Sequence, residues 1–594
     1  MHRPRPLPSW PNPALARAML PWVTFALASG CYRGVEVGQA DGAADGSGGT
    51  DGSSAGESDD DTGDAGCAQT SVSPLRRLSE AQYRNTLRDL FAPAGIDVTV
   101  EAAGELDRIP VDDAGATFGI LDARVSDQHA RAYYRLADKL AGLVANDPTH
   151  LAAVAGDCAT AGTLDAACLD ALLDDFGRRS FRRPLDADER ATYQALAAQA
   201  DTAVEAYRSV IFSLLLSPQF LYHVEVDGDG DDALYTLDGY ALASRLSFHF
   251  WRTMPDDELF AAAEDGSLLT DEGYLAQLER VFDDPRTADG VDRFYDEWLR
   301  LGGITSFPAT PAFATFAEDL GLDEPDADHL AAAQDEVHAL VRHFTFDEDG
   351  DLADLWLTDL SLTRSPHLAA IYGVPAWDGV SEPPRMPAGE RAGLLTRTAL
   401  LLTGDEQTHP VHRGAAIRRR ILCDDLPAPD PTMLPPGALD RPPVTADQTT
   451  RARYEAKTAD GQCQGCHTAI NPVGFVLERY DAFGRYRTQE RVIDEATGEV
   501  LATLPIDDAA APGLAGDEAV IAGGIALSEQ VVASGRSEAC FAQQYFRAGF
   551  GREDGSDDAC TIDRVEAALR DGGSLRAAMH ELALDTSFRT RRVQ

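Results

Sequence analysis

Apolar residues recur at helical spacing through most of this chain. Ser79-Glu80-Ala81-Gln82 is a capping-box pattern that predicts a helix through Tyr83, Leu87 and Leu90. Tyr133, Leu136, Leu140 and Leu143 place a second helix over roughly 127–144. Further on, Leu169–Phe176 and a helix capped at Asp186 precede a run from Tyr207 to Tyr222 that is apolar nearly all round, as in one helix buried between neighbours. Asp238 caps a helix stacking Leu242, Leu246 and Phe250, and Pro255 reads as the first-turn proline of the next. Phe250, Trp251 and Trp298 read as core, and helical periodicity continues through 294–298 and 336–344.

Where this rhythm breaks, other signals take over. Asp227–Asp238 resembles a calcium loop but has Asp232 where a glycine is required, so it reads as an acidic surface linker. Proline density from Pro366 to Pro443 predicts loop and short helix, and 487–506 reads as the one β-hairpin, turning at Glu495–Gly498. Helices return over 525–588. The expected fold class is mainly α: a multidomain helical protein with a cytochrome-c-like haem domain and one short β-hairpin.

At 594 residues the chain is too long for a single core. Its 98 acidic and 51 basic residues leave a net charge of −47, which excludes nucleic acid as a partner and favours a basic docking face on any protein partner. Lysine occurs only at Lys139 and Lys457. Arg3, Arg5 and Arg17 precede a short apolar run over 18–28 that reads as a secretory signal. It ends Leu27-Ala28-Ser29-Gly30-Cys31, which resembles a lipobox with Cys31 as the acylated residue; ordinary signal cleavage leaving Cys31 free is the alternative. The Gly/Ser/Asp-rich stretch that follows reads as a solvated tether. An exported chain permits disulfides. Cys158 with Cys168, and Cys540 with Cys560, bracket short loops and are candidate local pairs; Cys67 with Cys423 is the remainder, by elimination only.

Cys463-Gln464-Gly465-Cys466-His467 carries the chemistry. Two thiols two residues apart, followed at once by histidine, form the pattern for two thioethers to one covalent haem c with His467 as proximal iron ligand. A structural CxxC, as a disulfide or half of a zinc site, is the competing reading, but no second CxxC or helical histidine pair accompanies it. Pro472 and Gly474 are expected to shape a proximal loop, and Phe475, Leu477 and Tyr480 an apolar wall. Arg485 and Arg487 are candidates for propionate pairing or ordinary salt bridges. Distal-ligand candidates are His409, His412, Met433 and Met579, with Met579 equally readable as core.

Several phrases together resemble one family. They are RLSEAQY from Arg77, FRRPL from Phe181, SPQFLY from Ser217, ASRLS from Ala243, MPDDEL from Met254, RAGLL from Arg391, the segment from Cys466 to Arg487, and FGR from Phe550. They are similar, in order, to the planctomycete-type cytochrome family: exported proteins of planctomycetes and myxobacteria in which uncharacterised domains surround a cytochrome-c-like domain. One departure is His409-Pro410-Val411-His412, where the family usually has Ser-Pro. Composition and resemblance divide the chain into a lipoprotein-type signal (1–30), a tether (31–72), three helical domains (73–145, 146–233, 234–365), a c-type haem domain (366–488) and a hairpin with C-terminal helices (489–594).

The resemblance brings no reaction. Three readings stand: a lipid-anchored electron-transfer protein of the cell envelope, on the outer membrane in preference to the inner, with a redox partner protein; a haem-dependent oxidoreductase acting on an exported substrate; and a non-catalytic surface-binding lipoprotein. GxSxG, HExxH and GxxxxGK[ST] are absent from the sequence.

Overall fold

Capping fixes where many of the helices begin. Ser79 and Gln82 form the reciprocal capping box opening Glu80–Phe91, and Asp186 with Glu189 does the same for Ala187–Ala197. Ser126 caps Asp127–Asn146, whose Tyr133, Leu136, Leu140 and Val144 are buried against the Ala203–Leu215 helix. This computed structural model describes residue 67 and residues 71–592, apart from 113–117, 119–123, 226, 232–233, 319–326, 428–433, 435, 460, 517 and 571. The residues read as a signal, Cys31, those read as a tether before Cys67, and Met433 lie outside the described residues.

From Ala65 onward the chain packs as one unit with two large apolar cores. The first joins residues between Leu78 and Phe220, with Phe248 and Met254 inserted from the next segment. The second runs from Phe118 to Phe588. At its centre Phe294, Tyr295, Trp298, Phe541 and Tyr545 meet with centroid separations of 5.1 to 6.4 Å. Phe250, Trp251 and Trp298 are core, each 3 % exposed. Deep in the structure Arg397 pairs with Glu336 at 2.9 Å with both side chains fully buried, and the Tyr372 hydroxyl donates to the same carboxylate at 2.5 Å.

Several elements differ from expectation. The apolar run after Tyr207 is two helices: Leu215 ends the first, and Ser217 with Pro218 opens a second over Pro218–Leu221, because proline supplies no amide for continuation. Asp256 caps Asp257–Glu264, so Pro255 precedes the cap instead of occupying the first turn. The acidic stretch is not a linker but strand β1 (Asp227–Asp231), paired antiparallel with β2 (Leu234–Leu237). The expected hairpin is present as β3 (Gln489–Ile493) and β4 (Val500–Pro505), with a small pair β5 (Ala509–Ala510) and β6 (Ile521–Ala522) beyond it. The chain end returns as β7 (Thr590–Arg592) beside β2. Arg245 holds that junction, donating to the Phe588 and Thr590 carbonyls at 2.7 and 2.9 Å while its other nitrogens grip Glu225.

All six cysteines expected in disulfides are bonded, but two pairings are corrected. Cys158–Cys168 closes locally; Cys67 joins Cys560 across 493 residues, and Cys423 joins Cys540 across 117. Proximity in sequence misled because Cys540 lies on the Arg536–Phe550 helix, which packs against the segment ending at Cys423, while Cys560 opens toward the chain's beginning. Among the described residues no helix is long and apolar enough to cross a membrane.

Candidate functional site

Cys463, Cys466 and His467 lie on one helix, Gly461–Phe475. Their i, i+3, i+4 spacing puts both thiols and the imidazole on one face. Cys463 is half-buried and Cys466 exposed, and among the described residues these are the two cysteines outside disulfides.

A hydrogen-bonded relay orients the imidazole. The Tyr454 carbonyl accepts from the Thr458 hydroxyl at 2.7 Å, so the Thr458 oxygen is left to accept from the Asn471 amide nitrogen at 2.8 Å. That turns the Asn471 carbonyl oxygen to His467 Nδ1, 2.9 Å away. Nδ1 therefore carries the proton and Nε2 keeps its lone pair, the arrangement a metal-binding histidine takes when a partner fixes its tautomer. Two unpaired thiols and an imidazole with a free Nε2 lone pair, all on one face, fit the donor set of a covalent haem. Among the described residues Cys463, Cys466 and His467 do not themselves converge as a cluster that could hold one metal ion; the grouping that does occur, Cys158, Asp165 and Cys168, has both thiols in a disulfide.

Pro472 and Gly474 do not form a loop. Both lie in the last turn of the helix, and Gly474 serves contact, because a Cβ there would overlap the Pro410 carbonyl. A Cβ on Gly414 would likewise overlap the Ile470 carbonyl, so the Pro410–Ala416 helix crosses this one backbone to backbone, antiparallel. Buried Arg413 fastens the chain beyond the crossing, donating to the carbonyls of Leu401, Leu477, Tyr480 and Asp481. Phe475, Leu477 and Tyr480 are buried at 4 %, 1 % and 1 % exposure. Arg485 and Arg487 are committed to the buried carboxylates of Asp481, at 2.5 Å, and Glu478, at 3.4 Å. Burial pushes the Glu478 carboxyl up from its ordinary range.

The distal candidates fall in different places. Antiparallel packing sets His409 and His412 beside the C-terminal end of the CxxCH helix: Pro410 meets Gly474, seven residues past His467 or about 10 Å along the axis at 1.5 Å per residue. Their rings stack with centroids 3.4 Å apart and line a separate cavity, which Cys463, Cys466 and His467 do not line. Burial, His412 and Arg441 push the His409 imidazole down to about 3. Met579 is fully buried with Leu575 and Leu582. Sequence reasoning missed Asn471, Thr458 and the contact role of Gly414, and it placed Gly474 in a loop; the i, i+4 spacing of His467 and Asn471 was the available signal.

Four family models match this chain: PSD3 (DUF1587) over residues 76–146, PSD5 (DUF1595) over 168–225, PSD4 (DUF1592) over 237–374 and PSCyt3 (DUF1588) over 391–490, each described as a protein of unknown function. No curated protein and no solved structure matches. The helix bearing Cys463, Cys466 and His467 falls inside the PSCyt3 match, and the crossing helix and its arginine fall there too. Domains of the planctomycete cytochrome-type families are found in this chain, three PSD domains followed by a PSCyt3 domain.

Proposed function

We propose that this chain carries one covalent haem c and transfers electrons in the cell envelope, exported and held to the membrane by lipid on Cys31. The observation that carries the reading is the conjunction at the CxxCH helix: unpaired thiols at Cys463 and Cys466, and an imidazole at His467 whose Nδ1 proton is engaged by Asn471. Cys463 and Cys466 would hold the group through thioethers and His467 would ligate iron through Nε2. When bound, the group supplies a one-electron iron couple.

The chain's own residues do the rest. Asn471 fixes the His467 ring and, by accepting the hydrogen bond from Nδ1–H, leaves the Nε2 lone pair for a metal. Gly414 and Gly474 seat the helix against its neighbour, and Arg413 fixes the segment that follows. A net charge of −47 favours a partner with a basic docking face, with association that weakens as salt rises.

The experiment is a visible spectrum of the full chain produced in a periplasm with haem-maturation machinery. A low-spin, six-coordinate iron that cycles between oxidation states and ignores cyanide and peroxide supports electron transfer. High-spin iron that binds cyanide and turns over peroxide transfers the assignment to a haem-dependent oxidoreductase.

A further inference from the structure

Behind the helix that crosses the CxxCH segment, on its opposite side, lies a cavity of about 520 Å³. That is the size of a small-molecule site. It is built from segments far apart in the chain: the end of the Arg286–Leu299 helix and the turn after it, the Ala327–Arg342 helix, residues 395–403, the 409–421 stretch and the 439–441 loop. Ile304, Leu330, Leu400, Ile417 and Ile421 give it an aliphatic wall.

Its polar lining is cationic in a chain that is otherwise strongly acidic. Arg413 and Arg441 are spent, the first on four backbone carbonyls and the second on Asp405. Arg300 and Arg420 are not. Arg420 is half-buried and gives one nitrogen to the Leu299 carbonyl at 2.9 Å; among the described residues neither it nor Arg300 has a carboxylate partner. The two guanidiniums instead face each other's charge, and burial together with Arg300 and Arg419 pushes Arg420 down to about 10. Arg300 also ends its helix at φ +53°, the left-handed position that glycine normally takes, so an arginine stands at this mouth against the backbone's preference. Two guanidiniums that line one cavity and, among the described residues, pair with no carboxylate, set against an apolar chamber, form a receptor for an anion with an apolar body.

We propose that this cavity binds an amphipathic organic anion, a carboxylate carried on an aliphatic body, with Arg300 and Arg420 holding the head and the Ile304, Leu400 and Ile421 wall the body. The proposal does not rest on the haem reading, because none of Cys463, Cys466 and His467 lines the cavity.

Isothermal titration of the full chain with decanoate, decanol and acetate tests it. Decanoate should bind one per chain, with decanol and acetate each at least tenfold weaker, since the first lacks the charge and the second the body. Arg300→Gln removes an exposed side chain that, among the described residues, pairs with no carboxylate and should weaken decanoate about tenfold; Ala416→Phe, which fills the chamber from the same helix as His412, should abolish it while the melting temperature stays near that of the parent. Decanoate affinity unmoved by either substitution, affinity for decanol or acetate equal to that for decanoate, or no saturable binding at all, would overturn the proposal.

Discussion

His467 Nδ1 stands 2.9 Å from the Asn471 side-chain oxygen, and Asn471 cannot turn away because Thr458 engages its amide nitrogen at 2.8 Å. The ring's orientation is thus set from within one helix and its neighbour, before any group is attached. Asn471→Asp should make the imidazole more electron-rich and lower the midpoint potential by about 60 mV, the equivalent of a tenfold change in relative affinity. Asn471→Leu should shift it the other way. Redox potentiometry of the two variants reads the sign directly, and a structural effect alone would not reverse it.

The helix crossing should tolerate no side chain. Gly414→Ala and Gly474→Ala would each drive a methyl into a backbone carbonyl, so denaturant melts should show a loss of about 1–3 kcal/mol. Gly465→Ala, on the same helix with nothing within 4 Å of an added Cβ, should cost no stability. Equal losses at all three positions would contradict the crossing.

Peptide mapping of the non-reduced protein should recover Cys67 with Cys560 and Cys423 with Cys540, and no peptide joining Cys540 to Cys560. Replacing Cys67 by serine should lower stability by about 2–5 kcal/mol, because it releases a closure spanning 493 residues.

Stability should fall with acid from about pH 6.5, earlier than carboxylates alone would make it fall. His249 is enclosed by Phe250, Tyr545 and Phe588, and burial with the Arg76 charge pushes it down to about 3. His409 is held near 3 as well, and His223 well below its usual value. A histidine whose folded value is depressed contributes stability that is complete above the unfolded value, near 6.5, and lost as pH falls toward the folded one. Melting temperatures measured from pH 8 to pH 4 should decline below about pH 6.5, and His249→Phe should flatten part of that slope.

The capped amphipathic helices were readable from sequence because each is specified locally: Ser79, Asp186 and Asp238 all cap where the pattern places them. The β3–β4 hairpin was readable for the same reason. The β1–β2–β7 sheet was not, since an Asp/Gly run has no strand propensity and its third strand lies some 350 residues away in the chain. Disulfide partners failed on the same ground: Cys67 and Cys560 meet only once the whole unit has packed. At the site, the motif announced Cys463, Cys466 and His467, but reading Pro472 as a loop former hid Asn471, which only a continuous helix brings round to His467. Arg300 and Arg420 come from separate segments and share a cavity that no local pattern signals.

The central claim is covalent attachment at the CxxCH helix, and the mass of the denatured chain tests it most directly. Protein from a haem-maturing periplasm should retain the mass of one haem after acid denaturation and organic extraction, and the Cys463→Ala/Cys466→Ala double variant should lose it entirely. A chain that folds, forms its three disulfides and carries no covalently bound haem would contradict the account.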